Sequence, residues 1–356
     1  MRASDRYIRQ ESLKVFGPEN QNKLRSSKVL IVGLGGLGIP VAQYLNAIGV
    51  GTLGLVENDS ISLHNLQRQV LYAESDIGKA KLAICLSRLQ KQNSETIINT
   101  YATFLTSKNA LDIIKDYDII VDATDNFETR YLINDSCVIL NKTFVYGALH
   151  SFEGQVSVFN YKKGPTYRCL YPVVPSEAEI PNCDENGVLG VLPGIIGTLQ
   201  ALEVVKVITE IGEVLSGKLL LFDGLSLNTR KINFKSRLES FEIKQLQEDY
   251  SLKGCSIEFE IIPEKFEKLL MTQDVQLIDV RKPEEFASNH LEKAINIPLS
   301  DFNDNTQKID LSRPVYIICQ SGKRSIQALN KLQNYHSKAI VFSVAGGMNK
   351  FQKLCH

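Results

Sequence analysis

The chain has 356 residues, 44% hydrophobic and 22% charged, with 40 Lys plus Arg against 40 Asp plus Glu and so a formal net charge of zero. This length favours two ordinary domains over one very large one, and the balanced charge argues against a nucleic-acid surface or a polybasic membrane anchor. No apolar run reaches the roughly 18–20 residues of a bilayer span. The polar start Met1-Arg2-Ala3-Ser4-Asp5-Arg6 has no apolar signal core, so a cytoplasmic protein is expected. The seven cysteines are scattered and odd in number, which fits reduced thiols better than a disulfide framework.

Strands are predicted at 28–32, 52–57, 97–103, 118–122, 143–147 and 154–160, with helices at 37–48, 78–92, 107–115, 128–140 and 193–210. Alternation of this kind implies parallel strands covered by helices, a Rossmann-like doubly wound α/β sheet. The stretches 154–160 and 218–234 read instead as antiparallel strands added at the far side. Domains are expected at 1–240 and 257–356, with a polar linker at 241–256. Past the linker the alternation restarts in a smaller α/β unit: strand 256–261, helix 263–271, strands 275–279 and 315–319, helix 325–335 and strand 339–343. The loop 171–192 carries three prolines, several acidic residues and Cys183; a loop this long in a compact domain is usually functional or disordered.

The run Lys28–Val32 leads straight into Gly33-Leu34-Gly35-Gly36-Leu37-Gly38. A strand turning at once into a helix needs glycine for the tight turn and bare backbone where phosphates approach, with the helix N-terminus supplying N–H donors. Glu57, at the end of the second strand, is placed to hold ribose hydroxyls. Asp125 follows the strand 118–122 at the end where ligands of open parallel sheets sit, and is placed to hold Mg²⁺ on ATP phosphates. Its neighbour Asn126 also reads as the N-cap of the next helix. Arg68 and Lys81 are cations suited to a polyphosphate. These charges favour ATP under attack over a dinucleotide carrying hydride, although Gly33-x-Gly35-x-x-Gly38 alone also fits an NAD-dependent oxidoreductase, and a non-catalytic scaffold on a degenerate ATP fold stays open. In the smaller unit, Cys319-Gln320-Ser321-Gly322-Lys323-Arg324 follows an apolar strand and opens a helix, a setting that lowers a thiol pKa and makes a nucleophile, with Arg324 beside it.

Tyr7-Ile8-Arg9-Gln10, the glycine turn, Asn65-Leu66-Gln67-Arg68-Gln69, Gly78-Lys79-Ala80-Lys81, Thr124-Asp125-Asn126, Tyr167-Arg168-Cys169-Leu170 and Gly187-Val188-Leu189-Gly190 fall in the order seen in the MoeB/ThiF family of E1-like enzymes. The second unit resembles a rhodanese domain, and the whole chain is similar to the MoeZ-type fusion of the two. The resemblance implies an E1-like adenylation fold and ATP-dependent adenylation of the C-terminal Gly-Gly of a ubiquitin-like sulfur carrier of MoaD/ThiS type. A persulfide on Cys319 would then supply sulfur for a thiocarboxylate. It implies that Gly33, Gly35, Gly36, Gly38, Glu57, Asp59, His64, Asn65, Leu66, Gln67, Arg68, Lys81, Asp125 and Asn126 line the ATP site, with Mg²⁺ at Asp125. Arg9 would reach in from the partner of a homodimer, and Cys183 would be a covalent thiol. A cysteine desulfurase or other donor would provide sulfur. Molybdopterin synthesis is the expected pathway; thiamine and tRNA-thiolation carriers use the same chemistry. Glu57 stands where the family commonly has Asp, and His64 where a small residue is usual. The C-x-x-C pairs of the family's structural zinc are reduced to Cys169 and Cys255, so zinc is not expected.

Overall fold

Strand β1 (Lys28–Val32) is buried from Val29 onward with side chains pointing to both faces, and such a strand needs neighbours and helical cover on either side. The computed structural model describes residues 6–172, 187–250, 259–336 and 339–351, in two compact units, Met1–Leu252 and Lys253–His356. In the first, β1 pairs in parallel with β2 (Thr52–Val56) on one side and β4 (Ile119–Asp122) on the other. β3 (Ile97–Tyr101) extends the sheet beyond β2, and β5 (Thr143–His150) extends it beyond β4. Antiparallel β6 (Glu153–Phe159), β7 (Lys218–Asp223) and β8 (Thr229–Asn233) complete the eight-stranded order β3-β2-β1-β4-β5-β6-β7-β8.

Alternation along β1 separates two cores. Val29 and Ile31 join Ile39, Val41 and Leu45 of α3 (Gly38–Ala47), Leu82 and Leu89 of α4 (Lys81–Gln92), and Ile196 and Val204 of α8 (Val191–Thr209). Leu30 and Val32 join Tyr131, Leu132 and Ile133 of α6 (Phe127–Ile139) and the ring cluster Phe144, Tyr146, Phe159 and Tyr167. The succession of strands runs outward from β1 to β3 on one side and from β4 to β5 on the other, so the crevice at the carboxyl ends of the parallel pair β1 and β4 is the topological switch point where open α/β sheets bind ligands.

Several boundaries differ from the sequence expectation for local reasons. Helix α4 begins at Lys81 rather than 78, because Gly78 has φ +83° and Lys81 N–H is taken by the Asp59 carbonyl. Helix α2 (Gly17–Ser26), not expected from the pattern, opens on Gly17-Pro18, where proline is pre-set for a helix start. By length and composition α8 is apolar enough to cross a membrane, yet it carries the Glu203–Lys206 pair and buries Leu192, Ile196, Ala201 and Val204 in the first unit's core. Residues 241–250, expected as linker, lie on the first unit: Leu246 and Tyr250 pack against its second core, and Tyr250 Oη donates to Asp135 Oδ2 at 2.8 Å.

The second unit is a parallel five-stranded sheet of order β11-β10-β12-β13-β9, comprising β9 (Glu260–Ile261), β10 (Gln276–Asp279), β11 (Ile295–Asn296), β12 (Val315–Ile318) and β13 (Val341–Val344). Helices α9 (Pro263–Thr272), α10 (Pro283–Ser288), α11 (Lys323–Tyr335) and α12 (Gly347–Phe351) accompany it, and cores lie on both faces.

Buried Asp135 is held by Arg168 through Nε at 2.7 Å and Nη2 at 2.8 Å. Arg168→Met takes away that cation and leaves the buried carboxylate with the neutral donors Tyr250 and Asn134, and the expected loss is about 3 kcal/mol of first-unit stability in denaturant titration, against under about 1 kcal/mol for exposed Lys115→Met.

Candidate functional site

The turn after β1 is built by close backbone approach. Gly33 has φ +94° and donates its N–H to the Val56 carbonyl. A Cβ on Gly38 would lie 1.9 Å from the Gly33 carbonyl oxygen, and one on Gly33 would lie 2.9 Å from the Ala123 carbonyl oxygen. Gly36 faces Pro193 of α8 and the Arg68 stem at 2.9 and 3.4 Å by the same measure, whereas Gly35 meets nothing nearer than Gln69 Nε2 at 3.7 Å. A Cβ on Gly190 would fall 2.0 Å from the Gln67 carbonyl. The glycine turn, the 65–69 segment and the start of α8 thus converge, which unites three sequence motifs at the switch point.

Glu57, expected at the ribose, is also bound to the backbone around it. Its buried carboxylate accepts from Leu34 N at 2.9 Å through Oε2 and from Asn58 N and Asp59 N, each at 2.8 Å, through Oε1. The longer side chain at this position reaches back and fastens the glycine turn to the end of β2, while Tyr72 Oη donates to the Leu34 carbonyl at 3.0 Å.

Lys81 is buried and places Nζ 3.1 Å from Asp59 Oδ2, the carboxylate itself being half exposed. Arg68 Nη1 donates to the His64 carbonyl at 3.1 Å, tying the cation to its own loop. Asn65 is buried and caps that loop by accepting from Ser62 N at 3.1 Å; exposed His64 and Gln67 and partly buried Leu66 complete it. Asn126 accepts from Thr129 N at 2.8 Å, the N-cap alternative of the sequence. Asp125 stands exposed one residue earlier. Among the described residues no three or more His, Cys, Asp or Glu gather as a metal cage. A lone exposed carboxylate nonetheless suits Mg²⁺, which takes most of its oxygens from phosphates and water.

Behind this rim lies a buried layer that the sequence reading missed. Asp122, which ends β4, receives Thr124 N at 3.0 Å and Thr124 Oγ1 at 2.6 Å on Oδ1, while Oδ2 has no hydrogen-bond partner among the described residues. Burial raises its pKa, with the Arg130 cation only partly offsetting this. Arg130 lies over the Phe127 and Tyr146 rings and donates to the Thr124 carbonyl at 3.1 Å, so it supports the 124–126 turn from below. Its position four residues after the Asn126 cap was the available signal. Gln200 of α8 donates to the Asp122 carbonyl at 2.7 Å.

Arg9 lies exposed on α1 (Ile8–Glu11) and has no ion-pair partner among the described residues. The helix is anchored by its neighbours: Asn93 Nδ2 donates to Tyr7 Oη at 3.0 Å, and Gln10 Nε2 donates to the Ile48 carbonyl at 2.9 Å. Cys183 lies outside the described residues. Cys169 Sγ accepts from Thr166 N and Arg237 N, each at 3.3 Å, so the thiol ties the 166–170 turn to the segment after β8. Burial pushes its pKa up, but the hydrogen bonds from Thr166, Arg237 and Ser240 outweigh it and hold the thiol below its ordinary range. Cys85 has no such donors, and burial pushes its thiol up to about 12.

In the second unit, Cys319 follows β12 at the carboxyl end of the sheet and is fully buried, deeper than a surface nucleophile. Its Sγ accepts from Gly322 N at 3.1 Å and lies 3.6 Å from Ser325 Oγ. Gly322 (φ +92°) caps α11, and a Cβ on Gly347 would fall 2.2 Å from the Cys319 carbonyl, so the Gly346-Gly347 turn closes over the loop. Arg281 donates to Asp279 through Nε and Nη2 and to Gln320 Oε1 at 3.1 Å, joining the loop to β10. Arg324 is paired with Glu285.

The ThiF family model matches residues 7–242 and the rhodanese-like domain model residues 262–354. The chain belongs to the ThiF family and carries a C-terminal rhodanese-like domain. It is 37% identical over 370 residues to the adenylyltransferase and sulfurtransferase MOCS3 of Drosophila persimilis, covering 97% of this chain and 82% of that protein. It is 48% identical over 236 residues to the sulfur carrier protein adenylyltransferase of Thermus thermophilus, covering 65% of this chain and 87% of that one. Among solved structures, E. coli MccB with ATP is similar at a TM-score of 0.59 and 26% identity, over 66% of this chain and 73% of that chain.

Because a Cβ at position 38 meets backbone, Gly38→Ala is expected to lower the first unit's melting temperature by about 5–10 °C, whereas Gly35→Ala, meeting only a flexible amide, leaves it within about 2 °C. Differential scanning calorimetry distinguishes the two.

Proposed function

We propose that this chain adenylates the C-terminal Gly-Gly carboxylate of a ubiquitin-like sulfur carrier at the first unit's switch point and delivers sulfur to it from Cys319. The observation that carries this reading is the presence, in one chain aligned over 97% of its length with adenylyltransferase and sulfurtransferase proteins, of both the glycine turn and the cysteine loop. Adenylyl transfer uses ATP.

A carboxylate is ionised at neutral pH and needs no general base. The barrier lies in bringing it to a polyanion, so the site's work is charge neutralisation and alignment. The glycine turn leaves bare backbone for the phosphates. Lys81 and Arg68 supply positive charge to them, and Asp125 would hold Mg²⁺, which when bound neutralises phosphate charge. Glu57 and Asn65 border the ribose. The carrier carboxylate oxygen bonds to the α-phosphorus as the bond to pyrophosphate breaks, leaving an acyl-adenylate. Arg9 acts from the partner protomer of a homodimer, carried on a helix end fixed by Tyr7 and Gln10.

In the second step, the terminal sulfur of a Cys319 persulfide attacks the acyl carbon, AMP leaves, and an acyl disulfide forms. A second thiol, with Cys183 the candidate, attacks Cys319 Sγ; the S–S bond electrons leave with the carrier as a thiocarboxylate, and a protein disulfide remains. A cysteine desulfurase loads Cys319, and the carrier serves molybdopterin synthesis in the cytoplasm.

ATP–pyrophosphate exchange with Gly-Gly-ending carriers tests the first step. Exchange is expected to require one carrier, and Lys81→Ala is expected to lower it about 100-fold or more without unfolding, because the partner Asp59 is exposed enough to stay hydrated. Exchange with no carrier among several would contradict the proposal.

A further inference from the structure

The two arginines that border the Cys319 loop are each neutralised one for one. Arg324 forms a fork with Glu285, Nη1 to Oε2 and Nη2 to Oε1, both at 2.7 Å. Glu285 is itself pinned, since Oε2 also accepts from Lys282 N at 2.9 Å in the capping box of α10. The Arg324 hydrogen bonds and the Lys282 N–H, against the cost of partial burial, hold the Glu285 carboxyl at about 2, so it is charged throughout the physiological range. Arg281 is committed in the same way to Asp279, with Nη2 at 2.7 Å, and also bonds the Asn289 carbonyl at 2.6 Å. Neither guanidinium offers an uncompensated charge at the loop. Among the described residues, the groups that hydrogen-bond the sulfur are the Gly322 N–H and the Ser325 hydroxyl, both neutral.

A sulfur donor brings its own charge to this place. Thiosulfate carries two negative charges next to the transferring sulfur; a thiol-borne persulfide carries at most one. A loop whose arginines are neutralised discriminates against the dianion, because attraction and desolvation both scale with donor charge. We propose that Glu285 is a donor-selecting residue that cancels Arg324 and so sets the Cys319 loop for persulfide donors over dianionic ones. This rests on the reading of Cys319 as the sulfur carrier of the second unit.

Thiosulfate and methanethiosulfonate make the test, since both transfer a terminal sulfur but differ by one charge. In either case the Cys319 thiolate attacks that sulfur, the donor S–S bond breaks, and sulfite or methanesulfinate leaves with the electron pair. Cyanide then takes the sulfur as thiocyanate and restores the thiolate. In the full chain, Glu285→Gln keeps the capping box and removes the charge, while Glu285→Asp keeps the charge.

The expected result for Glu285→Gln is a rise in kcat/KM of about 10-fold with thiosulfate and about 3-fold with methanethiosulfonate, steeper in low salt. Glu285→Asp should leave the ratio between donors near that of the unchanged protein. Equal losses with both donors in Glu285→Gln would mean that the pair only shapes the loop, and no change would mean that Arg324 is not felt at the sulfur; either overturns the proposal. Failure of Cys319 to gain the mass of one sulfur from any donor, the unchanged protein included, would instead refute the sulfur-carrier reading beneath it.

Discussion

A contact that only glycine permits governs the first unit. The chain leaves β1 and enters α3 within a few residues because Gly38 can press against the Gly33 carbonyl, at a distance where any Cβ would overlap the oxygen. That reversal aims the start of α3 at the switch point and opens the crevice between β1 and β4. Glu57 then locks the turn from the β2 side with three backbone hydrogen bonds, and Pro193 and Arg68 close on Gly36 from the other side. The turn is therefore fastened by the chain's own contacts, which suits chemistry that depends on alignment and charge rather than on proton transfer.

The second unit solves a related problem with different parts. Its loop must surround a sulfur atom with backbone, so glycine again appears where chain meets chain: Gly347 against the Cys319 carbonyl and Gly322 in the left-handed region. Cys319 itself is sealed from solvent, and Arg281 and Arg324 at the rim are paired with carboxylates.

The β1 run, the glycine spacing, the alternation of strands and helices and the antiparallel far side were all legible, because each is encoded within a short window of sequence. The features that escaped depend on distant partners. Asp135 meets Tyr250 across 115 positions, which attaches residues 241–250 to the first unit although their composition reads as linker. Arg130 was not singled out in the sequence, because it is Phe127, Tyr146 and the Thr124 carbonyl that hold it beneath the site. Glu57 was legible as a carboxylate at the end of β2, but not as the fastener of the glycine turn, since its length matters only once Leu34 is in place. Arg281 joins Gln320 to β10, a link across 39 positions that no short window of sequence encodes.

The central claim is that one chain couples adenylation to sulfur transfer through Cys319. Intact-mass analysis of a Gly-Gly-ending carrier incubated with the protein, ATP and a persulfide donor tests it most directly. The account predicts replacement of one carrier oxygen by sulfur, dependent on ATP and lost in Cys319→Ala, while that variant still exchanges pyrophosphate. Formation of the thiocarboxylate by Cys319→Ala at the unaltered rate would contradict it.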